Sequence, residues 1–229
     1  MQDGWERRRA DWDAGRAVAR SRARWAIYAL VATAACRVFV LAGHEIAEPS
    51  VVAVGAFAEL ALLVLTAVAF LRWLAHTISL ASAMSPTPLA WSASSAVWTF
   101  FTPIAGLWRP YQVIRDLHAV LAPSGVPEPA PQPVLDGSGG YRNVPMKSPP
   151  PPRALPHVSI GAWWGAFLAT RLLGRVDTPA MDLLTTVLTV ASAALAVFVV
   201  RAIDARFAER YRRLHHASDA ELESWHLRA

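Results

Sequence analysis

TFFTPIAGLWRPYQVIRDL, residues Thr99 to Leu117, decides how this chain is read, because an apolar run there is broken by Pro103, Gly106 and Pro110 in quick succession. Proline lacks the donor a continuous helix needs, and glycine weakens one, so the run turns or kinks rather than passing straight on. Around it the composition is that of a bilayer protein: 54% hydrophobic residues, only 17% charged, and a positive mean hydropathy. The charges collect in the first 24 residues, between Arg109 and Asp116, and from Arg201 onward, which leaves long windows almost free of them.

Outward from the broken stretch, four segments read as spans, at about 25–42, 51–74, 158–173 and 181–200. The first begins with Trp25 and Tyr28 beside a basic end, and the second closes on Arg72 and Trp73, so both place an arginine-aromatic anchor at the inner headgroup level. Between them GHEIAEPS carries two glutamates and no Lys or Arg, which assigns it to the outer side. If 89–107 also crossed, the arginine-rich tail would end outside, against the positive-inside rule. If it enters and turns back, both termini and the linker are cytoplasmic. The fold class is therefore all-α: a polytopic membrane helical bundle of four transmembrane helices plus a proline-broken re-entrant or interfacial helix. Five transmembrane helices stand as the alternative.

The domain reading follows. Residues 1–24 form a cytoplasmic basic amphipathic tail, with seven arginines against four acids, and 25–121 are the first half of the membrane domain, with an interfacial helix at 111–121. A proline-rich disordered linker occupies 122–157, where eleven of the seventeen prolines fall. The second membrane half spans 158–200, and 201–229 are a second cytoplasmic basic amphipathic tail, with a capping box at Ser218 and Glu221.

Two charges stand deep inside spans, away from their ends. Arg37 and Glu59 lie at matching depth, about 18 to 20 Å from the inner ends of their helices, and are expected to pair. That pair reads either as a lock between antiparallel helices or as a proton or cation site. The single Cys36 excludes an intrachain disulfide. His215 and His216 are adjacent rather than four apart, so no metal is assigned, and no cofactor or catalytic residue is either. There is no nucleophile elbow, phosphate loop or carboxylate pair, which sets enzymatic function last. The net charge of +5 rests on arginines that flank apolar segments, which points to anionic lipid headgroups rather than nucleic acid. The linker and tails offer surfaces for a protein partner.

The order of Trp73, Trp91, FTPIAGLWRPYQVIRDL, AWWGAFL and FVVRAI resembles a bacterial multi-span membrane family, the domain of unknown function DUF4328, over most of the chain from about residue 50. Trp91, Pro103, Gly106, Trp108, Pro110, Tyr111, Trp163 and Trp164 carry the likeness. Members usually have Asn where Gly106 stands, and a more basic, aromatic segment in place of HTISLASA. The resemblance implies inner-membrane location and organisation but no activity. The functional reading is a non-enzymatic structural, interaction or sensory membrane module. The alternative is a small transporter or channel with a polar site around Arg37, Glu59 and the break at Pro103.

Overall fold

The computed structural model describes residues 2–44, 49–85, 89–102, 105–122, 132–135, 141–144, 157–174 and 178–227. They form α1 (Gln2–His44), α2 (Pro49–Ala83), α3 (Ala93–Trp98), a 3-10 turn (Ala105–Leu107), α4 (Arg109–Val120), strands β1 (Gln132–Leu135) and β2 (Tyr141–Val144), α5 (His157–Leu173), α6 (Pro179–His216) and α7 (Asp219–Leu227). Three helices, α1, α2 and α6, are long and apolar enough to cross a membrane, and α5 is a shorter apolar helix of 17 residues.

The long helices overrun their apolar segments. No proline precedes Pro49 and none follows Pro179, so nothing in α1 or α6 interrupts the backbone ladder. As a result α1 runs unbroken for 43 residues, α2 for 35 and α6 for 38, about 50 to 65 Å each at 1.5 Å per residue. The two basic stretches at 2–24 and 201–216 are thus not separate helices lying across a surface. Each continues the axis of its apolar neighbour, because a change in side-chain polarity does not end a helix while propensity and capping still favour it.

Side by side the helices run α2, α1, α6, α5, and α4 and α3 pack across α5 and α2. The bundle has two unlike halves. In one, the apolar side chains face outward: Phe39 is 73% exposed and Phe57 75%, with Val31, Leu60, Leu65 and Val187 similar. In the other, Trp12, Trp73, Ile78, Met84, Ile114, Leu117, Ile203, Phe207, Leu214 and Leu222 are buried as in a soluble protein. The stripe Ile203, Phe207, Tyr211 and Leu214 on α6 faces this core, so the periodicity identified a buried face correctly but not what covers it.

Polar ties close the second half. Arg9 bonds the carbonyl of Ala217 and the carboxylate of Asp219 at 2.8 Å each, which puts both ends of the chain at the same end of the bundle. Arg210, buried, donates to Met84 O (3.2 and 3.0 Å) and to Val120 O (2.6 Å), and Arg206 donates to His118 O (2.7 Å). Those carbonyls lie just past the end of α2 and in the last turn of α4, where the helical ladder leaves acceptors unpaired. Burial holds the Arg210 pKa down to about 10. Ser218 and Glu221 form a reciprocal capping box at the start of α7: the Ser218 backbone N–H donates to Glu221 Oε2 (2.8 Å) and the Glu221 N–H to Ser218 Oγ (3.3 Å).

The broken stretch contains no spanning helix. Among the described residues of 89–107 the one α-helix is α3, just before the broken stretch, six residues and about 9 Å long, capped by Ser92, whose Oγ accepts from Ser95 N–H at 3.1 Å. A crossing needs about 20 residues in one helix, so no described helix there is long enough to cross. Within 122–157 the described residues are two short strands, paired antiparallel from Gln132 with Val144 to Leu135 with Tyr141. The sequence signal for this hairpin was the Asp136-Gly137 step between two short runs, which a purely compositional reading of the linker overlooks.

Candidate functional site

The apolar half encloses a polar cavity of about 420 Å³, open on one side, among α1, α2, α5 and α6. Each helix sends a different group into it, and the sequence explains why those groups tolerate the position. Arg37 of α1 is central. Its Nη1 donates to Glu59 Oε2 at 3.3 Å, and its Nη2 donates to Asp182 Oδ1 at 3.3 Å and to Thr185 Oγ1 at 3.2 Å. A guanidinium has five donors in a planar fork, so one side chain can serve three helices at once.

Pairing of Arg37 with Glu59 follows from matched depth in the sequence, but Asp182 does not. It lies in the first turn of α6, behind the Thr178 cap and Pro179, where an acid is expected merely to complement the helix dipole. The overlooked clue was orientation: the start of α6 and the end of α1 come to the same end of the bundle, within reach of a long side chain. With both carboxylates ionised the three-residue cluster carries one excess negative charge, and Arg171, exposed at the cavity wall with its guanidinium 5.2 Å from the Phe167 ring centre, supplies a second positive one.

Hydroxyls line the rest. Thr33 and Thr66 join α1 to α2 through a 2.8 Å bond between their side chains, while Thr33 also donates to backbone oxygens of Ala29 and Leu62 at 3.0 and 3.3 Å, as alternative directions for its one proton. Thr170, Thr185, Thr189 and Ser192 face the same space. Small residues on α6 let the helices approach, and their hydroxyls satisfy carbonyls one turn back, Thr189 to Thr185 O at 2.7 Å.

Next to Thr66 and Phe167, which line the cavity, an aromatic cluster packs one turn further on as a floor of rings. Phe70 of α2 meets Trp163 of α5 at 5.7 Å between ring centres and Phe100 of the broken stretch at 6.0 Å. Phe100 meets Trp164 edge-on at 5.8 Å, and Trp164 stacks on Phe167 at 5.0 Å.

The motif residues gather around this floor. Trp164 Nε1 donates to Leu107 O at 2.6 Å, pinning the 3-10 turn, and Trp91 Nε1 donates to Asp116 Oδ2 at 3.1 Å, pinning the entry to α3 against α4. Gly106 N–H bonds Thr102 O at 2.6 Å, and a side chain there would come within 3.3 Å of Thr99 O, so the tight turn favours the smallest residue. Pro110 opens α4 and is buried, Tyr111 is half-buried near Gly161, and Trp108 is nearly half exposed. Pro103 lies outside the described residues. Arg37 and Glu59 line the cavity, and no described residue of the broken stretch lines it.

Among the described residues no three His, Cys, Asp or Glu side chains come together as a metal ion would require. No curated protein and no solved structure matches the chain. The family model for DUF4328, a domain of unknown function, matches residues 44–205, which takes in Glu59, Asp182 and the aromatic floor but leaves Arg37 outside. With well over half of its length matched, and with the broken stretch and paired tryptophans inside that match, the chain belongs to the DUF4328 family.

Proposed function

We propose that the protein is a four-crossing, non-enzymatic membrane module that links the polar cavity to a helical platform on the cytoplasmic side, where partner proteins or lipids are met. The observation that carries this reading is continuity: α1, α2 and α6 each run without a break from the cavity wall into the buried core of the other half. A shift at one end of such a helix cannot be absorbed at a hinge.

Three further observations support membrane placement with an even number of crossings. Exposed apolar side chains fill one half of the bundle, and the Arg9–Asp219 ion pair brings both chain ends to the other. Where the halves meet, exposed Trp25, Tyr28, Trp98, Phe101 and Trp108 sit as interfacial aromatics do. The broken stretch, with Trp98 and Phe101 outward and Phe100 inward, then lies at the inner interface as a short re-entrant or surface element.

Coupling is tested by Glu59→Gln and Asp182→Asn in nanodiscs, with hydrogen exchange followed in α4 and α7. The expected result is altered protection there, several helical turns from the substitution; unchanged exchange with only a lower melting temperature would overturn the coupling. Topology is tested by placing a cysteine at Ser124 in a Cys36→Ala background. Labelling from the inside only is expected, and labelling from outside would overturn the even count.

A transport reading draws on the charged, hydroxyl-lined cavity. Proton or ion flux in proteoliposomes that Glu59→Gln abolishes would favour transport over the module.

A further inference from the structure

On the face of α1 and α2 away from the polar cavity lies a second hollow of about 470 Å³. Its foot is formed by Arg22 and Arg72, its walls by Trp25, Tyr28, Leu65 and Val68, and its bottom by small residues such as Ala29 and Ala69. The walls are open to the outside: Trp25 is 67% exposed, and Tyr28, Leu65 and Val68 are likewise exposed. Trp25 and Tyr28 hold each other edge to face at 6.4 Å between ring centres.

The arginines at the foot differ from the five on this chain that are held in ion pairs. Arg9, Arg37, Arg115, Arg212 and Arg213 all make ion pairs. Arg22 makes a single long hydrogen bond, 3.5 Å, to the backbone oxygen of Arg72, and among the described residues neither Arg22 nor Arg72 has a carboxylate partner. Two cations that line one hollow without a carboxylate partner form a site for an anion. A phosphate diester, with two free oxygens, matches two guanidinium forks.

The length of the hollow says what the anion is attached to. From Arg22 to Ala32, its far end on α1, is ten residues, about 15 Å of helix. That is about half of a 30 Å hydrocarbon core, the depth of one leaflet. An anion at the foot, aromatic rings just above it and an apolar trough one leaflet deep correspond in order to the headgroup, glycerol and acyl chain of a lipid.

We propose that the groove between α1 and α2 is a specific site for one anionic phospholipid of the inner leaflet, its phosphate held by Arg22 and Arg72 and an acyl chain laid along Ala29 and Ala32 toward Leu62. This rests on the membrane reading above and adds to it a defined lipid position. Because the groove is formed by both helices, an occupied site ties α1 to α2 below the Thr33–Thr66 bond, at the level where the platform begins.

The test uses the full chain in nanodiscs of phosphatidylcholine with or without phosphatidylglycerol, read by native mass spectrometry of the released protein and by thermal unfolding. The expected result is one phosphatidylglycerol retained per chain, a higher melting temperature in its presence, and at least a tenfold loss of the adduct in Arg22→Gln/Arg72→Gln. Arg24→Gln removes an exposed arginine nearby that does not line the groove and is expected to leave the adduct intact. Ala32→Trp fills the trough without changing charge and is expected to lose the adduct as well.

Equal loss in Arg24→Gln would mean diffuse attraction to an acidic surface and overturn the site. Loss in the double variant with full retention in Ala32→Trp would mean that the headgroup alone holds the lipid, which overturns the acyl-chain trough and with it the site as proposed. A dimer that Ala32→Trp disperses would assign the groove to a second copy instead. Failure of the wild-type chain to enter nanodiscs would refute the membrane reading itself, a result distinct from all of these.

Discussion

Replacing Arg210 tests how α6 is held to the ends of α2 and α4. Its guanidinium is buried and donates to Met84 O and Val120 O, at the ends of two different helices, while its face lies 5.6 Å from the Trp225 ring centre. In Arg210→Ala two buried carbonyls lose their partner, at about 1 to 3 kcal/mol each. The recovered desolvation of the charge offsets part of that, as its depressed pKa of about 10 indicates. The net cost is about 3 kcal/mol, and for a chain of this size that is about 6 to 12 °C in melting temperature. Arg210→Met keeps most of the volume without donors and should cost nearly as much. Arg210→Lys keeps the charge but reaches only one helix end, and should cost about half. Arg201→Ala, at an exposed position on the same helix, should shift nothing. The assay is tryptophan fluorescence during thermal unfolding in detergent, where Trp225 reports locally. If Arg210→Ala melts within 1 °C of wild type, or if lysine substitutes fully, the guanidinium is not what joins the two helix ends.

The remaining expectations concern other ties. Burial opposes ionisation of Glu209, but hydrogen bonds from Arg212 and Arg213 and their charges outweigh it, so the carboxylate pKa is held below its ordinary 4.5. The unfolded chain then takes up the proton first on acidification. The stabilisation is complete above about pH 4.5 and is lost as pH falls through the lowered value, so a stability profile of Glu209→Gln should be flatter than wild type in that window. Trp164→Phe keeps the ring stack but removes the bond to Leu107 O; it should cost about 1 kcal/mol and speed amide exchange at 105–107, with α6 unaffected. Thr33→Val, which breaks the hydroxyl bond to Thr66, should cost about 1 kcal/mol, measurable by the same thermal assay.

The apolar windows, the broken stretch and the Ser218–Glu221 cap were legible in the sequence because each is a local pattern with a local cause. Arg37 and Glu59 were found by depth, which works for antiparallel neighbours of known direction. Asp182 escaped the same reasoning because it sits at a helix start, where an acid already has a conventional explanation. What covers the basic tails was not legible, for a different reason. Amphipathic spacing says that one face of Ile203, Phe207, Tyr211 and Leu214 is covered, but a bilayer surface and a neighbouring helix cover it equally well. Only the absence of any proline from Met1 to Glu48 and after Pro179 pointed to continuous helices. The buried arginines were beyond the sequence altogether, since nothing local distinguishes Arg210 from Arg201, nine residues earlier.

The Arg9 ties bear on how the chain comes off the ribosome. They join positions 208 and 210 residues apart, so Arg9 of α1 waits for these partners through nearly the whole of synthesis. At 5 to 20 residues per second that wait is about 10 to 40 s. During it the first helix exists with these partners not yet made. The last twenty residues therefore act as a latch, and a chain that stops short of Ala217 would be made and inserted yet never closed.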